Sequence, residues 1–254
     1  MELFDTHAHY NDEKFDDDRD SLIMDIYNEG ITKLVCVGYN LEQSKYALEL
    51  AKKYDFIYAS CGISPNDIYD YSDEKLKEIE ELGKEDKIVA IGEIGLDYYW
   101  EKDNKEKQKE LFIKQIDIAN RLNKPIIIHN RDAYVDTIQI LKDHPVNKTG
   151  IFHCCPLNQE LIKDGLKLGF YISFSGTVTF KNAKSEDPVK LVPMDKLLIE
   201  TDSPYLSPEP NRGKRNDSRN VKYVAQRIAE IKGISVEEVA KCTYENAKKV
   251  YLIR

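Results

Sequence analysis

The chain has 254 residues, of which 41% are hydrophobic and 10% aromatic, so it can bury a sizeable core without disulfide or metal cross-links. Its formal net charge of -8 argues against non-specific attraction to nucleic acid, although carboxylates that hold cations also contribute negative formal charge. Five cysteines without a CxxC spacing, no signal-peptide pattern and no long apolar run predict a reduced, cytoplasmic protein that does not enter the membrane.

Eight short β-rich runs alternate with charged segments whose apolar residues have helical spacing. The predicted strands are Glu2–Asp5, Lys33–Gly38, Ile57–Gly62, Ile88–Gly92, Pro125–His129, Gly150–His153, Phe170–Phe174 and Lys196–Thr201. Helices are expected between them, except that residues 175–195 are expected to be largely loop. Two further helices, about Arg219–Ile231 and Ser235–Tyr251, are predicted after the last strand, the second with a capping box of Ser235 and Glu238.

This alternation predicts an α/β fold, a single (β/α)8 barrel of the TIM type that spans residues 1–254 as one domain. Almost continuously apolar runs support parallel strands that are buried on both faces. An open, doubly wound sheet is the alternative. In a barrel of this type, the active site is expected at the C-terminal ends of the strands.

Metal-ligand residue types concentrate at these predicted strand ends, where four of the five histidines lie; only His144 lies elsewhere. Taken singly, a histidine at a strand end is better explained as a packed or surface residue, and Asp202 as a cap before the turn at Ser203-Pro204. Glu93 alone is explained equally well as a charge at a helix N-terminus. Residues i and i+2 of a strand point to the same side, so His7 and His9 can chelate one ion. The predicted metal ligands are His7, His9, Glu93, His129, His153 and Asp202.

Six imidazole and carboxylate ligands exceed the needs of one tetrahedral ion and suit two ions that share a carboxylate. Such ligands favour zinc, manganese, iron or nickel over magnesium alone. Glu93 is the candidate for the shared ligand, because it follows a middle strand and has two oxygens. Asp5 is expected either to support a ligand or to cap a strand end.

These segments together resemble the TatD family of metal-dependent deoxyribonucleases, which are relatives of the amidohydrolase-type barrels. The segments that carry the resemblance are Asp5–His9, Gly92–Asp97, His129–Ala133, Phe152–Cys154, Glu200–Pro204 and Arg212–Asn216. The resemblance implies two divalent metal ions, of magnesium, manganese or zinc. It implies that His7, His9 and Asp202 hold one ion and that His129 and His153 hold the other. Glu93 would contact both.

Three segments depart from the family pattern. Ser64 stands in Gly62-Ile63-Ser64-Pro65, where the family usually has a histidine that would contact substrate or move a proton. The usual His-Cys-Phe-Ser-Gly is replaced by 153–157, whose sequence is His-Cys-Cys-Pro-Leu, so the shape of the substrate is expected to differ. Asp217 follows Asn216 where the family usually has Glu-Pro, which is a smaller change.

The resemblance implies exonuclease activity on DNA, with single strands or 3′ ends as substrate. Two cations can activate a water molecule and neutralise phosphoryl oxygens, and Asp202 is the predicted general base, beside Glu93 as the second catalytic residue. Arg131, two residues after His129, is expected to pair with phosphate oxygens. The other predicted substrate-binding residues are Arg212, Lys214, Arg215 and Asn216, for which a solvated basic loop is the alternative.

The leading functional hypothesis is a 3′–5′ exodeoxyribonuclease, and no protein partner is inferred. The alternative is an amide, ester or lactone hydrolase, such as a D-aminoacyl-tRNA deacylase. That class often bridges its metals with a modified lysine, whereas Glu93 takes this place here. A third possibility is a metal-binding protein without catalytic activity. Residues 98–100, Tyr-Tyr-Trp, are expected either to stack on bases or to pack against the next helix.

Overall fold

A computed structural model describes residues 1–253 of the chain, whose strands form one eight-stranded sheet in sequence order. Each strand pairs in parallel with the next. The strands are β1 (Leu3–Ala8), β2 (Ile31–Val37), β3 (Ile57–Cys61), β4 (Ile88–Asp97), β5 (Ile126–Arg131), β6 (Ile151–Phe152), β7 (Tyr171–Phe174) and β8 (Leu197–Ile199).

The helices lie between and after the strands, as the alternating pattern predicts. They are α1 (Arg19–Asn28), α2 (Leu41–Lys53), α3 (Asp73–Leu82), α4 (Lys105–Leu122), α5 (Tyr134–Asp143), α6 (Gln159–Lys167), α7 (Glu186–Leu191), α8 (Val221–Lys232) and α9 (Val236–Val250). The connection between β7 and β8 contains the short α7 and two 3-10 turns, and is otherwise irregular as expected. The capping box of Ser235 and Glu238 begins α9.

The first and last strands meet and nearly close the sheet into a barrel. An isolated bridge joins Ala8 to Ser203, the amide of His9 donates to the carbonyl of Ser203 over 2.7 Å, and the amide of Asp202 donates to the carbonyl of His7 over 2.9 Å. The carboxylate of Asp5 strengthens the seam, because it accepts the amide of Thr201 over 2.9 Å. This sequential, nearly closed order is that of a TIM-type barrel and excludes the doubly wound alternative.

Alternate residues of the strands face the interior of the barrel and the layer of helices. The interior is packed by apolar side chains such as Phe4, Val35 and Ile127, against which Val250 and Tyr251 at the end of α9 pack. A larger apolar cluster fills the space between the strands and the surrounding helices. Within residues 1–253, no helix combines the length and the apolar character that a membrane span requires.

Two strands have irregular registers at predicted ligands. Between its paired residues 5 and 8, β1 spans three positions while its partner β2 spans two. Between its paired residues 91 and 94, β4 likewise spans three positions while β5 spans two. Such β-bulges bend a strand and change the direction of a side chain. The predicted strands ended before His7 and Glu93, but β1 and β4 include these residues, because pairing resumes beyond each bulge.

Candidate metal centre

Four ligand-type atoms converge at one point of the barrel mouth. Nε2 of His7 and Nε2 of His9 lie 3.1 Å apart. Oε2 of Glu93 lies 3.5 Å and 3.7 Å from these two nitrogens, and Oδ1 of Asp202 lies 3.6 Å and 3.4 Å from them. Neighbouring ligand atoms of a tetrahedral ion, each about 2.0–2.1 Å from the metal, are about 3.3 Å apart. The spacing of the four atoms therefore fits a single cation.

A second group lies on the other side of Glu93. Its Oε1 atom is 2.8 Å from Nδ1 of His129 and 3.3 Å from Nε2 of His153, and these two nitrogens are 3.3 Å apart. Three protein ligands would leave a position for water or substrate, as in catalytic zinc sites. Each oxygen of Glu93 thus faces one group, which is the arrangement expected of a shared ligand.

Hydrogen bonds to backbone and carboxylate fix the rings of two of these histidines. Nδ1 of His9 is 3.0 Å from the carbonyl oxygen of Val37, and Nε2 of His129 is 2.9 Å from Oδ2 of Asp97. Because a carbonyl or carboxylate only accepts, the opposite ring nitrogen of each histidine carries the lone pair and faces its group. Metal-ligating histidines usually have such partners, which set the tautomer and the ring orientation.

Glu200 orients a third histidine and lies near a fourth. Its Oε1 atom is 3.3 Å from Nδ1 of His153, whose ring stacks on the ring of His7 with centroids 3.9 Å apart. Among the described residues, neither Nδ1 of His7 nor Oε2 of Glu200 has a hydrogen-bond partner, although both atoms are buried. Ligand-type atoms of His7, His153 and Glu200 lie within 4.8 Å of one another.

The roles of Asp97 and Glu200 were not predicted from the sequence, although both residues lie in segments that carry predicted ligands. Asp97 is four residues after Glu93, and Glu200 is two residues before Asp202. Even separations along extended backbone place side chains on the same face. The spacing that joined His7 to His9 could therefore also have predicted these two carboxylates as neighbours of the ligands.

Opposite charges at the centre shift the pKa of its groups strongly. Burial alone would raise the pKa of Glu93, but the charge of His153 and the hydrogen bond with His129 hold that pKa well below its usual value. Burial would lower the pKa of His153, yet the charges of Glu93 and Glu200 raise it well above its usual value. This balance means that the carboxylates attract positive charge, which a proton or a divalent cation can supply.

A pocket of about 1130 Å³ opens over the two groups. Its floor contains ligand-type side chains from both groups, and its walls are formed by loops that follow the strands. The wall residues include Tyr39, Ser64, Trp100, Arg131, Cys154 and Tyr205. The volume is at the upper end for small-molecule sites and leaves room for a nucleotide-sized ligand above the floor.

The sequence profile of the family described as TatD related DNase matches residues 4–252. The chain belongs to the TatD family. YabD of Bacillus subtilis (strain 168) is 48% identical over 253 residues and covers 99% of both chains. YcfH of Escherichia coli (strain K12) is 40% identical over 261 residues, which is 100% of this chain and 97% of that one. Both relatives are named as uncharacterized metal-dependent hydrolases, and this TatD family member is a metal-dependent hydrolase.

Solved structures agree with the family assignment and with the barrel. YJJV, a TatD homologue from Escherichia coli K12, matches with a TM-score of 0.94 at 26% identity and covers 99% of this chain and 98% of that one. An organophosphorus hydrolase from Deinococcus radiodurans matches with a TM-score of 0.68 at 12% identity, covering 98% and 92% of the two chains. The second similarity concerns the fold alone.

Among the predicted substrate-binding residues of this TatD protein, Arg131 reaches the pocket. It ends β5, is exposed, and lies on the pocket wall. Its guanidinium carbon is 4.0 Å from the ring centroid of Tyr99 and 5.4 Å from that of Trp100. Arg131 thus lies at the mouth on the same side as His129, as its spacing of two residues predicted.

The basic loop after β8 does not bring its side chains to the pocket lining. Arg215 forms two hydrogen bonds with the carboxylate of Asp18, of 2.9 Å and 2.5 Å, and it also donates to the carbonyl of Lys14. The guanidinium carbon of Arg212 lies 3.8 Å from the ring centroid of Phe180. Lys214 is exposed and, like the two arginines, lies outside the residues that line the pocket.

Asn216 is fully buried and holds the loop together rather than facing the pocket. Its Nδ2 donates to the carbonyls of Thr201 and Tyr205, over 2.9 Å and 2.7 Å, and its Oδ1 accepts from Asn220 over 2.8 Å. Because these partners occupy its amide, the geometry gives Asn216 a structural role. The expectation of substrate binding by Asn216 therefore has no support from its position.

Three other residues discussed from the sequence have clear environments. Asp5 lies within β1, is buried, and accepts from Thr201 and from the hydroxyl of Ser218, so it anchors β1 to the segment after β8 and does not cap a strand end. Ser64, which replaces the family histidine, lines the pocket, and its hydroxyl accepts the amide of Asn66 over 3.1 Å at the start of a 3-10 helix. Cys154 lies after His153 with a positive φ of 38°.

Proposed function

We propose that this metal-dependent hydrolase is a two-metal 3′–5′ exodeoxyribonuclease that acts on single strands or free 3′ ends. The observation that supports the proposal is that the two carboxylate oxygens of Glu93 face two separate groups of ligand-type atoms. Two cations about 3.5–4 Å apart suit displacement at phosphorus, because both the attacking and the leaving oxygen can be stabilised. The similarity to TatD related DNases supports DNA as the substrate.

The residues fit two divalent ions by spacing, donor type and orientation. His7, His9 and Asp202 would hold one ion, and His129 and His153 the other, with Glu93 shared between them. When bound, such ions supply Lewis-acid stabilisation of phosphoryl oxygens and lower the pKa of water. Neutral imidazoles and ionised carboxylates are the forms that bind metal, and the partners of His9, His129 and His153 each engage one ring nitrogen, so that the other nitrogen faces its group of ligands.

Asp202 is the proposed general base. Burial would raise the pKa of its carboxyl group, but the hydrogen bond with His9 and the charge of His7 lower it below its usual value. The group is therefore ionised at neutral pH and can accept a proton from water at its carboxylate. Its side chain lines the pocket, where such a water and the scissile phosphate would meet.

Arg131 is the proposed phosphate-binding residue outside the two groups. Its guanidinium has two parallel donors that match phosphate oxygens, and its contact with Tyr99 leaves these donors available in the plane of the guanidinium. Within the described part of the chain, no ion pair engages Arg131. A phosphate beside the metal groups would thus gain a charged partner without breaking an existing ion pair.

The test is digestion of single-stranded DNA labelled at either end, by protein loaded with manganese. Loss of a 3′ label as mononucleotide, together with stepwise shortening of a 5′-labelled strand, is the expected result. The same strands with a blocked 3′ end should be resistant. Reversed polarity would contradict the exonuclease assignment. Hydrolysis of an aryl ester or a D-aminoacyl-tRNA by protein that leaves DNA intact would contradict the phosphodiesterase assignment.

A further inference from the structure

Three large aromatic side chains are exposed on one side of the barrel mouth. The exposed fractions are 73% for Tyr69, 43% for Tyr99 and 64% for Trp100. These residues, called here the aromatic rim, come from the segment after β3 and the segment after β4. Residues 98–100 were expected either to stack on bases or to pack against the next helix, and the exposure of Trp100 argues against helix packing for its ring.

The aromatic rim continues the pocket over the metal groups. Trp100 lines that pocket and also lines an adjoining depression of about 560 Å³, to which Tyr69 and Tyr99 contribute. A ligand that enters the pocket and extends outward on this side therefore passes over Trp100. Arg131, whose guanidinium lies over the rings of Tyr99 and Trp100, is at the junction of the two spaces.

Hydrogen bonds hold the backbone of the rim in a fixed position relative to the floor. Oδ1 of Asp97 accepts the amides of Tyr99 and Trp100, over 2.9 Å and 2.8 Å, while its Oδ2 is the partner of His129. Gln108 donates to the carbonyl of Asp97 over 3.1 Å. One carboxylate therefore positions both a proposed metal ligand and two exposed rings, so ligand binding would not need to order this segment.

The charges around the rim are mixed. The adjoining depression is lined by Glu101, Lys102 and Asp103, with Lys102 near the ring of Tyr99. A ligand attracted by charge alone would find little net attraction there. The guanidinium of Arg131 covers one face of the Tyr99 ring, while the rest of that ring and the ring of Trp100 are exposed. Exposed ring surfaces favour a ligand with π-faces, and Arg131 favours phosphate groups on the same ligand.

We propose that the aromatic rim is a base-stacking subsite for the nucleotides that adjoin the scissile phosphate of single-stranded DNA. This proposal rests on the proposed function and adds to it how the strand is held. Duplex DNA stacks its bases internally, so only an unpaired strand offers base faces to Tyr99 and Trp100. Stacking is tolerant of sequence because every base has a π-face, so a strand of any sequence would bind.

The single tryptophan of the chain makes a direct test possible, since all tryptophan fluorescence comes from Trp100. Manganese-loaded protein is titrated with a single-stranded oligonucleotide, with a duplex of the same sequence, and with an abasic strand of equal length, all with blocked 3′ ends that prevent digestion. Strong quenching by the single strand and weak quenching by the other two is the expected result. Equal quenching by the abasic strand, or no quenching by the single strand, would overturn the proposal.

Variants separate stacking from local disruption. Tyr99→Leu is expected to raise the Kd of the single strand about tenfold, whereas Tyr99→Phe, which keeps the ring, is expected to bind like the wild type. Tyr27→Leu is the matched control, because Tyr27 is 45% exposed on α1 and lies away from the pocket. Equal affinities for Tyr99→Leu and Tyr27→Leu would contradict a stacking role for Tyr99.

Digestion by the manganese-loaded wild type, run in parallel, separates this proposal from the proposed function. If the protein digests single-stranded DNA but the normal and abasic strands quench fluorescence equally, the stacking subsite is overturned and the nuclease activity is not. Absence of both digestion and quenching would overturn both. Digestion with selective quenching supports both, and Trp100→Leu should then raise KM about tenfold with a smaller change in kcat.

Discussion

Two sides of the barrel mouth carry cationic side chains, but they differ in how those side chains are used. On the side of β4 and β5, Arg131 lies over exposed rings at the edge of the pocket. In the loop after β8, Arg215 pairs with Asp18 and Arg212 lies over Phe180. The loop has more basic residues in sequence, yet the side with the single arginine is the one that faces the pocket.

The comparison shows that the partners of a cation decide its availability, and that the number of basic residues does not. A guanidinium that already has a carboxylate partner would have to lose that partner before it could bind phosphate. Within residues 1–253, Arg131 has no carboxylate partner to lose, so its binding of phosphate would cost less free energy. Cationic side chains on either side could act only on a substrate that reaches the ligand groups at the floor of the pocket.

The largest effect on hydrolysis is expected from His129→Ala, which removes a ligand-type nitrogen from the floor. Activity should fall by orders of magnitude, because one group would be left with His153 and Glu93 alone. Circular dichroism and thermal unfolding should show a folded protein, since His129 lies at the pocket and not in the apolar core. Wild-type rates in this variant would remove His129 from the site.

The connection between floor and rim is tested by Asp97→Asn. The neutral side chain is a weaker acceptor for the ring of His129 and for the amides of Tyr99 and Trp100. Metal affinity or activity should fall about 10- to 100-fold, as is common for partners of metal-ligating histidines. Titration of manganese and steady-state kinetics measure the two effects. If metal affinity and kinetics are both unchanged, Asp97 positions neither His129 nor the aromatic rim.

The two sides are compared directly by Arg131→Ala and Arg215→Ala. Loss of Arg131 is expected to raise KM for DNA about tenfold without changing metal content, because a charge-assisted hydrogen bond to phosphate is lost. Loss of Arg215 should leave KM unchanged and lower the free energy of unfolding by at most about 1 kcal/mol, because its pair with Asp18 is largely exposed. The reverse pattern would show that the loop after β8 binds the substrate.

The smallest effect on hydrolysis is expected from Asn216→Ala, which leaves the floor intact. The buried carbonyl of Thr201 and the partly buried carbonyl of Tyr205 would lose their donor, so the free energy of unfolding should fall by about 1–3 kcal/mol. Chemical denaturation measures this loss, and kcat/KM at low temperature is the matching readout of function. A large fall in kcat/KM without a change in stability would return Asn216 to the substrate-binding residues.

Much of the fold and of the floor could be predicted from the sequence. The alternation of apolar strands with helices, and the ligand-type residues at the strand ends, are local signals in the sequence. Parallel pairing then brings those ends to one side of the barrel. His7 and His9 were placed together by spacing alone, and the structure brings them within 3.1 Å. Exact strand ends were not predicted, because the bulges in β1 and β4 depend on pairing with neighbouring strands.

The loop after β8 could not be predicted, because its conformation depends on partners that are distant in sequence. Arg215 meets Asp18, and Asn216 contacts the carbonyl of Thr201. No periodicity in the loop indicates these contacts. The roles of Asp97 and Glu200 differ in this respect, since their even spacing from Glu93 and Asp202 is visible in the sequence.

The central claim is that Glu93 is shared by two cations at the floor of the barrel. X-ray diffraction from crystals grown with manganese, measured at the manganese absorption edge, tests it most directly. The account predicts two anomalous peaks on either side of the Glu93 carboxylate, one beside His7 and His9 and the other beside His129 and His153. A single peak that Glu93 does not contact, or peaks away from these side chains, would contradict it.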